Sequence, residues 1–358
     1  MLKARDWEDT SVFLTGHTGF KGSWLALWLS EWGARVHGYA LPPSTEPSLF
    51  EQARVAEMLA SDTRADLADR SALQTALQKA RPTVVFHLAA QALVRPSYAD
   101  PLATFATNVM GTAHLLEAVR QVDSVKAVVV VTTDKVYDNR EWVYPYRESD
   151  ALGGHDPYSA SKGAAEIVAA SYRASFFHAK GHAARVATAR AGNVIGGGDW
   201  APERLVPDCL AAFAEGRPVQ LRFPGAVRPW QHVLEPLSGY MALAQALLAK
   251  DGERVAKGFN FGPEASGDAT VGEVAERMAR LWGENARVDM PDGTHHPHEA
   301  GLLRLDITKA RAELGWRPRW TLDEALGATV DWHRAWRNGQ DMAGFTRTQI
   351  QQYLKVGG

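Results

Sequence analysis

The sequence is poor in cysteine, in long apolar runs and in net charge, and each shortage excludes a class of protein. The single cysteine, Cys209, can form neither an internal disulfide nor a cysteine-rich metal site, which fits a reducing compartment. No stretch approaches the roughly 18 apolar residues of a membrane-spanning helix. The segment from Met1 to Trp7 lacks the long apolar region of a signal peptide. We therefore expect a cytoplasmic protein that does not bind membranes.

The charges of the chain nearly cancel, with 39 Lys and Arg against 41 Asp and Glu and a net charge of -2. This balance gives no electrostatic footprint for nucleic acid, so an anionic ligand would have to be met by local positive charge. A histidine cluster at His295, His296 and His298 resembles a metal site. However, Pro297 breaks the helical spacing of ligands and no carboxylate set accompanies them, so we predict no metal.

Short apolar runs alternate with longer helical patterns along the first half of the 358 residues. The runs predict strands at 11–15, 35–40, 83–87, 126–132 and 183–191, and the patterns predict helices at 20–32, 102–121 and 158–179. This alternation is typical of an α/β fold with a parallel sheet covered on both faces. We predict a Rossmann-type doubly wound sheet over residues 1–190. A smaller, mixed α/β substrate lobe is expected over residues 191–358, and segments after residue 225 could return to the first domain.

A glycine-rich turn follows the first predicted strand and opens the first helix. Glycines at this place let the chain turn tightly and let backbone amides approach a pyrophosphate, while the helix N-terminus adds positive potential. We therefore predict that NAD binds along the whole turn, which consists of Gly16, His17, Thr18, Gly19, Phe20, Lys21 and Gly22.

The second predicted strand ends in Tyr39, Ala40 and Leu41, without the Asp or Glu that usually holds the ribose of NAD. The adenosine ribose must therefore be held in another way. Asp66 and Leu67 lie where a third strand should end and could cap the adenine. The alternative is that this segment is the N-cap region of a helix.

A tyrosine and a lysine, Tyr158 and Lys162, stand four residues apart at the start of the helix over 158–179 and so share one face. A lysine cation beside a phenol lowers the phenolic pKa, which would make Tyr158 a usable base. Thr133 and Asp134 follow a strand whose end should meet this helix. We predict that Thr133 bonds a substrate hydroxyl and that Asp134 acts as an acid.

Several strings in order along the chain resemble the extended short-chain dehydrogenases/reductases that act on nucleotide sugars. They are GHTGFKG (16–22), HLAAQ (87–91), NVMGT (108–112), YSASK (158–162) and RAGNVIGGGD (190–199). Within that superfamily, TTDKVY (132–137), GGHDPYSASK (153–162), GGGDWAPERLVPD (196–208), RPWQHVLEPL (228–237) and ELGWRPRW (313–320) most resemble the CDP-glucose 4,6-dehydratases.

The resemblance implies conversion of CDP-D-glucose to CDP-4-dehydro-6-deoxy-D-glucose and water, as in dideoxysugar and O-antigen biosynthesis. It implies that Tyr158 takes the proton of the 4-hydroxyl while hydride leaves C4 for tightly held NAD. Asp134 then protonates the departing 6-hydroxyl, and hydride returns to C6. Related dTDP-sugar dehydratases carry a Glu after the Asp as the C5 base, whereas this sequence has Lys135. We predict that Lys135 is catalytic, either as a base or by stabilising the enolate.

The resemblance also implies further contacts. Those to the cofactor are Leu88, Ala89, Ala90, Gln91, Asn108 and Thr132, together with Tyr158 and Lys162. Those to the substrate are Gln91, Thr133, Asn193, Arg204, Leu205, Val206, Arg228, Trp230 and His232. Trp230 and His232 could equally be core or rim residues. Trp24, Trp28 and Trp32 recur every fourth residue and are expected to pack, whereas Trp200 is a further candidate for the substrate site.

The two long helices over 102–121 and 158–179 resemble those that pair across a two-fold axis in this superfamily. We therefore expect a homodimer built on a four-helix bundle, with a dimer of dimers left open. Two alternative functions remain. One is another nucleotide-sugar enzyme, either a 4-epimerase or a dTDP- or GDP-sugar dehydratase. The other is a regulator that senses NAD(P) without turnover.

Overall fold

The computed structural model describes residues 2–177, 182–264, 268–283, 286–290 and 301–356. Its strands are β1 Ser11–Thr15, β2 Arg35–Ala40, β3 Ser61–Arg64, β4 Val84–His87, β5 Ala127–Val131, β6 Arg185–Ala191, β7 Val194–Ile195, β8 Val219–Gln220, β9 Val227–Pro229, β10 Gln231–His232, β11 Gly258–Phe261, β12 Asp268–Thr270 and β13 Val288–Asp289. Its helices are α1 Phe20–Glu31, α2 Leu49–Gln52, α3 Arg70–Ala80, α4 Val94–Ala99, α5 Pro101–Phe105, α6 Gly111–Val119, α7 Pro157–Tyr172, α8 Leu205–Ala214, α9 Leu234–Leu248, α10 Val271–Trp282, α11 Thr308–Leu314, α12 Leu322–Arg337 and α13 Met342–Lys355.

Seven parallel strands form the central sheet in the order β11-β6-β5-β4-β1-β2-β3. The chain builds outward from β1 to β3, then returns to the other side of β1 as β4. The topological switch point therefore lies between β1 and β4, where ligands of open α/β sheets bind at the carboxyl ends of the strands. The Rossmann-type doubly wound sheet predicted from the sequence is confirmed.

Successive residues of a strand pack alternately into two hydrophobic cores, one on each face of the sheet. In β1, Val12 and Leu14 face a core shared with α1, α9 and α13, while Phe13 faces a core shared with α3, α6 and α7. Trp24 and Trp28 are fully buried in the first core and Trp32 packs against it, as their spacing predicted. Both faces of the sheet are covered, so the strands can be apolar throughout.

A smaller core lies in the C-terminal half of the chain, where α8, α10 and the first half of α12 pack together. The second half of α12 contributes Trp332 to the first core, and α9 packs in the same core. Strand β11 also packs there and pairs with β6 of the central sheet. Part of the chain after residue 225 therefore returns to the central sheet.

The two predicted long helices are present, and each contains a wider turn. The first runs as α5, a π segment at Ala106–Met110, and α6. The second runs as α7 and a π segment at Arg173–Phe177, and the expected end at Ala179 lies outside the described residues. Over the described part of the chain, none of the helices has the length and apolar character needed to cross a bilayer.

Candidate active site

The glycine-rich turn lies at the switch point of the sheet. Gly16 has a φ of 77°, and a Cβ there would come within 2.6 Å of the Ala89 backbone nitrogen, so only glycine fits between β1 and the end of β4. Gly19 is different, because it is exposed and the nearest atom to a Cβ would be 3.5 Å away. No neighbouring group requires a glycine at this position. The backbone of Gly19 is thus open to an approaching ligand at the N-terminus of α1.

Two side chains of the turn point into the fold. His17 is fully buried, its ring lies against Gly38 of β2, and its Nε2 is 2.8 Å from Oδ1 of Asp62 on β3. Thr18 donates its hydroxyl to the Leu41 carbonyl at 2.9 Å. These contacts fix the turn to the strands beside it. The predicted cofactor contact at His17 could therefore involve only its backbone, because the imidazole is engaged below the turn.

The segment after β4 is held by the first long helix. Asn108, in its π segment, accepts from the Gln91 amide at 2.9 Å and donates to the Gln91 carbonyl and to Ser161. The Gln91 side chain bonds Leu93 and Thr104. Strands β4 and β1 pair in parallel up to His87 and Thr15, which places the backbone of Leu88, Ala89 and Ala90 beside Gly16. The bonds from Asn108 hold the end of this segment at Gln91. Asn108 and Gln91 thus shape the predicted cofactor site through structural bonds.

Thr133 and Asp134 follow β5 and are buried, with Asp134 only 2% exposed. Thr133 donates to Asp134 Oδ1 at 2.9 Å, while Oδ2 has no partner among the described residues. Burial raises the pKa of Asp134, against the lowering effects of Lys135, Thr133 and Arg228. A buried carboxyl with a raised pKa, and with one oxygen that no described residue engages, is suited to general acid catalysis.

Helix α7 begins where its sequence provides both a cap and a first-turn proline. Asp156 accepts from the Ser159 amide and Pro157 occupies the first turn, so the chain becomes helical just before Tyr158. This start places Tyr158 and Lys162 on the buried face. Tyr158 lies beside Thr133, whose hydrogen bond lowers the Tyr158 pKa, although burial raises it overall to about 12.

Lys162 donates to the Val131 carbonyl at 3.0 Å, and burial lowers its pKa to about 8. We expected its cation to lower the pKa of Tyr158, but burial, Thr133, Asp134 and Arg204 are the strongest influences there. The side chain of Lys162 is directed to the end of β5, so Tyr158 and Lys162 share one face of α7 without a direct hydrogen bond.

Lys135 is partly exposed and its ammonium makes no hydrogen bond or ion pair with any described residue. Its charge acts on Asp134, where it lowers the pKa. The structure therefore places Lys135 next to the candidate acid, with its amine free to meet a ligand.

Positive charges surround the same strand ends. Burial and the nearby cations Arg204 and Lys162 lower the pKa of Lys21 to about 7. Arg204 is held by Asp199, with Nη1 to Oδ2 at 2.9 Å, and Arg228 is buried close enough to Asp134 to lower its pKa. Arginine forks suit phosphate oxygens, so this cluster could hold an anionic diphosphate.

The other predicted substrate residues divide into those at the strand ends and those in the core. Asn193 follows β6, and its carbonyl accepts from the Gln231 amide at 3.0 Å. Leu205 begins α8, and Val206 is buried in the small core.

Trp230 belongs to that core and donates to the Ala269 carbonyl, while His232 is fully buried between Trp24 and Trp320. For these two the core alternative is favoured. Trp200 packs on Trp332 and Trp336, which also makes it a packing residue.

The third strand ends at Arg64, before Asp66 and Leu67. Asp69 caps α3 by accepting from the Ala72 amide at 2.9 Å, as the N-cap alternative predicted. Asp66 accepts from the Ala68 amide, and its carbonyl accepts from Tyr39. The segment is therefore a structured helix entry at the same edge as the glycine-rich turn.

Sequence reasoning missed Glu166, Arg190 and Asp199 as parts of the site's support. Glu166 accepts from Thr132 at 2.6 Å, so the hydroxyl of Thr132, predicted to bind cofactor, is turned to this carboxylate. The continuation of the four-residue spacing from Tyr158 and Lys162 was the signal that could have found it.

No group of His, Cys, Asp and Glu side chains in the described ranges is arranged to hold a metal ion. The histidine cluster at 295–298 lies outside them.

The fold and the Tyr-Lys pair at a glycine-rich switch point define a dinucleotide-dependent enzyme class, and comparison with known proteins identifies the family. The profile of the family described as GDP-mannose 4,6 dehydratase matches residues 13–329. CDP-glucose 4,6-dehydratase of Salmonella typhimurium is 51% identical over 99% of both chains. dTDP-glucose 4,6-dehydratase of Streptomyces griseus is 32% identical over 70% of this chain and 73% of that one. The chain belongs to this nucleotide-sugar 4,6-dehydratase family.

Two solved structures have a fold similar to that of this chain. MoeE5 in complex with UDP-glucose and NAD is 26% identical and covers 91% of this chain and 99% of its own, with a TM-score of 0.75. dTDP-glucose 4,6-dehydratase of Bacillus anthracis in complex with NAD is 22% identical and covers 93% and 99%, with a TM-score of 0.74.

Proposed function

We propose that this chain converts CDP-D-glucose to CDP-4-dehydro-6-deoxy-D-glucose and water, with NAD retained and regenerated in each turnover. The observation that carries the proposal is a buried acid, Asp134, with a free oxygen at the same strand end as Tyr158 and Thr133. A 4-epimerase needs the Tyr-Lys pair but has no use for a second proton donor. The choice of cytidine is supported by the relative that shares 51% identity along the whole chain.

The residues around the switch point fit a dinucleotide. The exposed backbone at Gly19 and the N-terminus of α1 would receive the pyrophosphate, and Lys162 would hold the nicotinamide ribose. When bound, NAD accepts a hydride from C4 of the sugar and returns it to C6. The remaining chemistry, which consists of proton transfers, falls to the protein's own side chains.

Tyr158 accepts the proton of the sugar 4-hydroxyl, and Thr133 hydrogen-bonds the reacting oxygens. Burial raises the pKa of Tyr158 to about 12, so formation of its phenolate needs nearby positive charge, and Arg204 supplies part of it. Once C4 is a ketone, the C5 proton is acidic. Removal of this proton leaves an enolate. Lys135 either takes the proton itself as a free amine, or stabilises the enolate as an ammonium while another base takes it. Asp134 protonates the departing 6-hydroxyl as water, and a proton returns to C5 when hydride returns to C6.

Incubation of the purified protein with CDP-, dTDP-, UDP- and GDP-glucose tests this proposal. The expected result is loss of water from CDP-glucose and formation of a 4-keto-6-deoxy product, identified by mass and NMR. Retention of the 6-hydroxyl with inversion at C4 would favour the epimerase. Binding of NAD without any product would favour a sensing regulator.

We propose in addition a homodimer through the two long helices. Their outer faces carry four exposed apolar side chains, at Leu102, Phe105, Met110 and Ile167. Such a patch is unusual on a surface that stays in water. Light scattering at micromolar protein should give twice the chain mass, and a monomer mass would reject the dimer. A dimer of dimers, the substrate lobe at 191–358 and a cytoplasmic place in O-antigen synthesis stay predictions.

A further inference from the structure

A buried carboxylate lies directly behind the catalytic pair. Glu166 follows Tyr158 and Lys162 at the same four-residue interval on α7, and it is only 4% exposed. The proposed chemistry gives it no proton to move. A charge so deep in the fold would be costly unless other groups compensated it, which makes its surroundings informative.

Four donors satisfy the two oxygens of Glu166. Oε1 accepts from Thr132 at 2.6 Å and from Arg190 Nε at 2.9 Å. Oε2 accepts from Thr188 at 2.6 Å and from Arg190 Nη2 at 2.9 Å. Thr132 follows β5, whereas Thr188 and Arg190 belong to β6. One carboxylate therefore fixes α7 to the two strands whose ends carry the candidate catalytic groups.

Arg190 continues the network on its other side. Its Nη1 donates to the Tyr137 hydroxyl at 2.9 Å, and Tyr137 donates to Asn260 of β11 at 2.6 Å. The guanidinium also lies over the Tyr137 ring, 5.1 Å from its centre. The far end of the clamp is thus anchored in the edge strand and the segment after β5, so Glu166 cannot shift without disturbing several elements.

Glu166 also supplies charge. The titratable groups that act on or are acted on by Lys162 are Lys21 on α1, His87 on β4 and Glu166 on its own helix. Glu166 is the negative one of these, and it raises the pKa of Lys162 against the lowering effect of burial. Burial lowers the pKa of His87 to about 3, so His87 stays neutral and adds no positive charge beside Lys162.

We propose that Glu166 is a positioning residue: its carboxylate, clamped by Arg190, fixes Tyr158 and Lys162 against the ends of β5 and β6 and keeps the Lys162 ammonium charged. The inference rests on the proposed function only for its kinetic readout. A misplacement of about 1 Å in a catalytic group can cost about 100-fold in rate, so the clamp is of direct consequence for turnover.

The test compares Glu166→Gln with Glu166→Asp. Glutamine has the shape of glutamate but no charge, and its NH2 group would face the hydrogen-bond donors of Thr132, Thr188 or Arg190. We therefore expect kcat to fall about 10- to 100-fold, with KM changed less than about threefold. An NMR titration of isotope-labelled lysine should show the Lys162 midpoint lowered by about one pH unit. The aspartate keeps the charge but is too short to meet all four donors. It should lower kcat and leave the midpoint near the wild-type value.

The matched control is Glu235→Gln. Glu235 is a buried carboxylate with three hydrogen-bond donors, at Arg319, Trp320 and Tyr353, and it belongs to the packing of α9 against the C-terminal helix. This variant should leave kcat, KM and the Lys162 midpoint unchanged. If Glu166→Gln does not fold, Arg190→Lys provides the alternative test. It removes the guanidinium that donates to both oxygens of Glu166, and it should lower kcat at constant KM.

An unchanged Lys162 midpoint in folded Glu166→Gln overturns the proposal, even if kcat falls, because the carboxylate would then be structural only. Wild-type kcat in folded Arg190→Lys overturns it as well. Absence of turnover by the wild-type protein on all four nucleotide glucoses would refute the proposed function instead. The lysine titration would still decide the role of Glu166.

Discussion

Replacement of Asp134 by asparagine separates the two halves of the proposed reaction. The amide has the size of the carboxyl and can still accept the Thr133 hydrogen bond of 2.9 Å, but it has no proton to give to a leaving hydroxyl. General acids contribute about 100- to 10,000-fold to such steps. We expect dehydration by Asp134→Asn to fall at least about 100-fold, while oxidation at C4 proceeds.

The assay follows both halves after mixing with CDP-glucose. Reduced nicotinamide should accumulate in the variant, as measured by its absorbance, while the 4-keto-6-deoxy product forms slowly. Asp208→Asn is the control, because Asp208 is another carboxyl whose pKa is raised by burial but it lies on α8. Product formation by Asp134→Asn within about tenfold of the wild-type rate would refute the acid role.

The same variant makes a prediction about stability. Burial raises the folded-state pKa of Asp134 above its unfolded value, so its contribution is fully present below the unfolded pKa and is lost as pH rises through the folded pKa. Asparagine does not titrate, so the variant does not lose stability in this way as pH rises. Urea unfolding should therefore show Asp134→Asn to be as stable as wild type near about pH 4 and more stable near about pH 8. Equal stability at both pH values would contradict the buried-carboxyl argument.

Four further substitutions test other parts of the structure. Gly16 has a φ of 77° and lies against the Ala89 backbone, so Gly16→Ala should lower the free energy of unfolding in urea by about 2 kcal/mol or more. Gly19→Ala should lower it by less than about 1 kcal/mol and should weaken NAD binding. Equal losses of stability would refute this distinction between the two glycines. Lys135→Met should slow C5 proton exchange with solvent about tenfold or more, and unchanged exchange would reject its catalytic role. Burial raises the pKa of Glu235 to about 7, so wild-type stability should fall as pH rises toward about 8, and Glu235→Gln should flatten that dependence in urea titrations.

The sheet, and the position of Tyr158 and Lys162 on one buried helix face, were within reach of sequence reasoning. Buried parallel strands must be apolar over their whole length, which made segments such as β4 and β5 recognisable. The glycines of the turn and the four-residue spacing of Tyr158 and Lys162 are local patterns with a definite geometry. Asp69 was also open to prediction as a helix cap, because capping depends on residues three apart in the chain.

Side-chain direction was not within reach. His17 belongs to the predicted cofactor turn, yet its ring lies under β2 and contacts Asp62, 45 residues away in the chain. The hydroxyl of Thr132 is turned to Glu166, 34 residues later. His232 stands in a string typical of the substrate site but is packed between two tryptophans. Each orientation depends on a partner that is distant in sequence.

By itself, the sequence determined the elements of this protein and the order of its chemical groups, because hydrophobic period, capping and glycine turns act over a few residues. Only the tertiary structure decided which groups are buried, which are paired and which lie together at the strand ends. The free oxygen of Asp134 and the fourfold clamp on Glu166 arise where α7 meets the ends of β5 and β6. Burial sets the cost of a charge, and burial is a property of the packed fold.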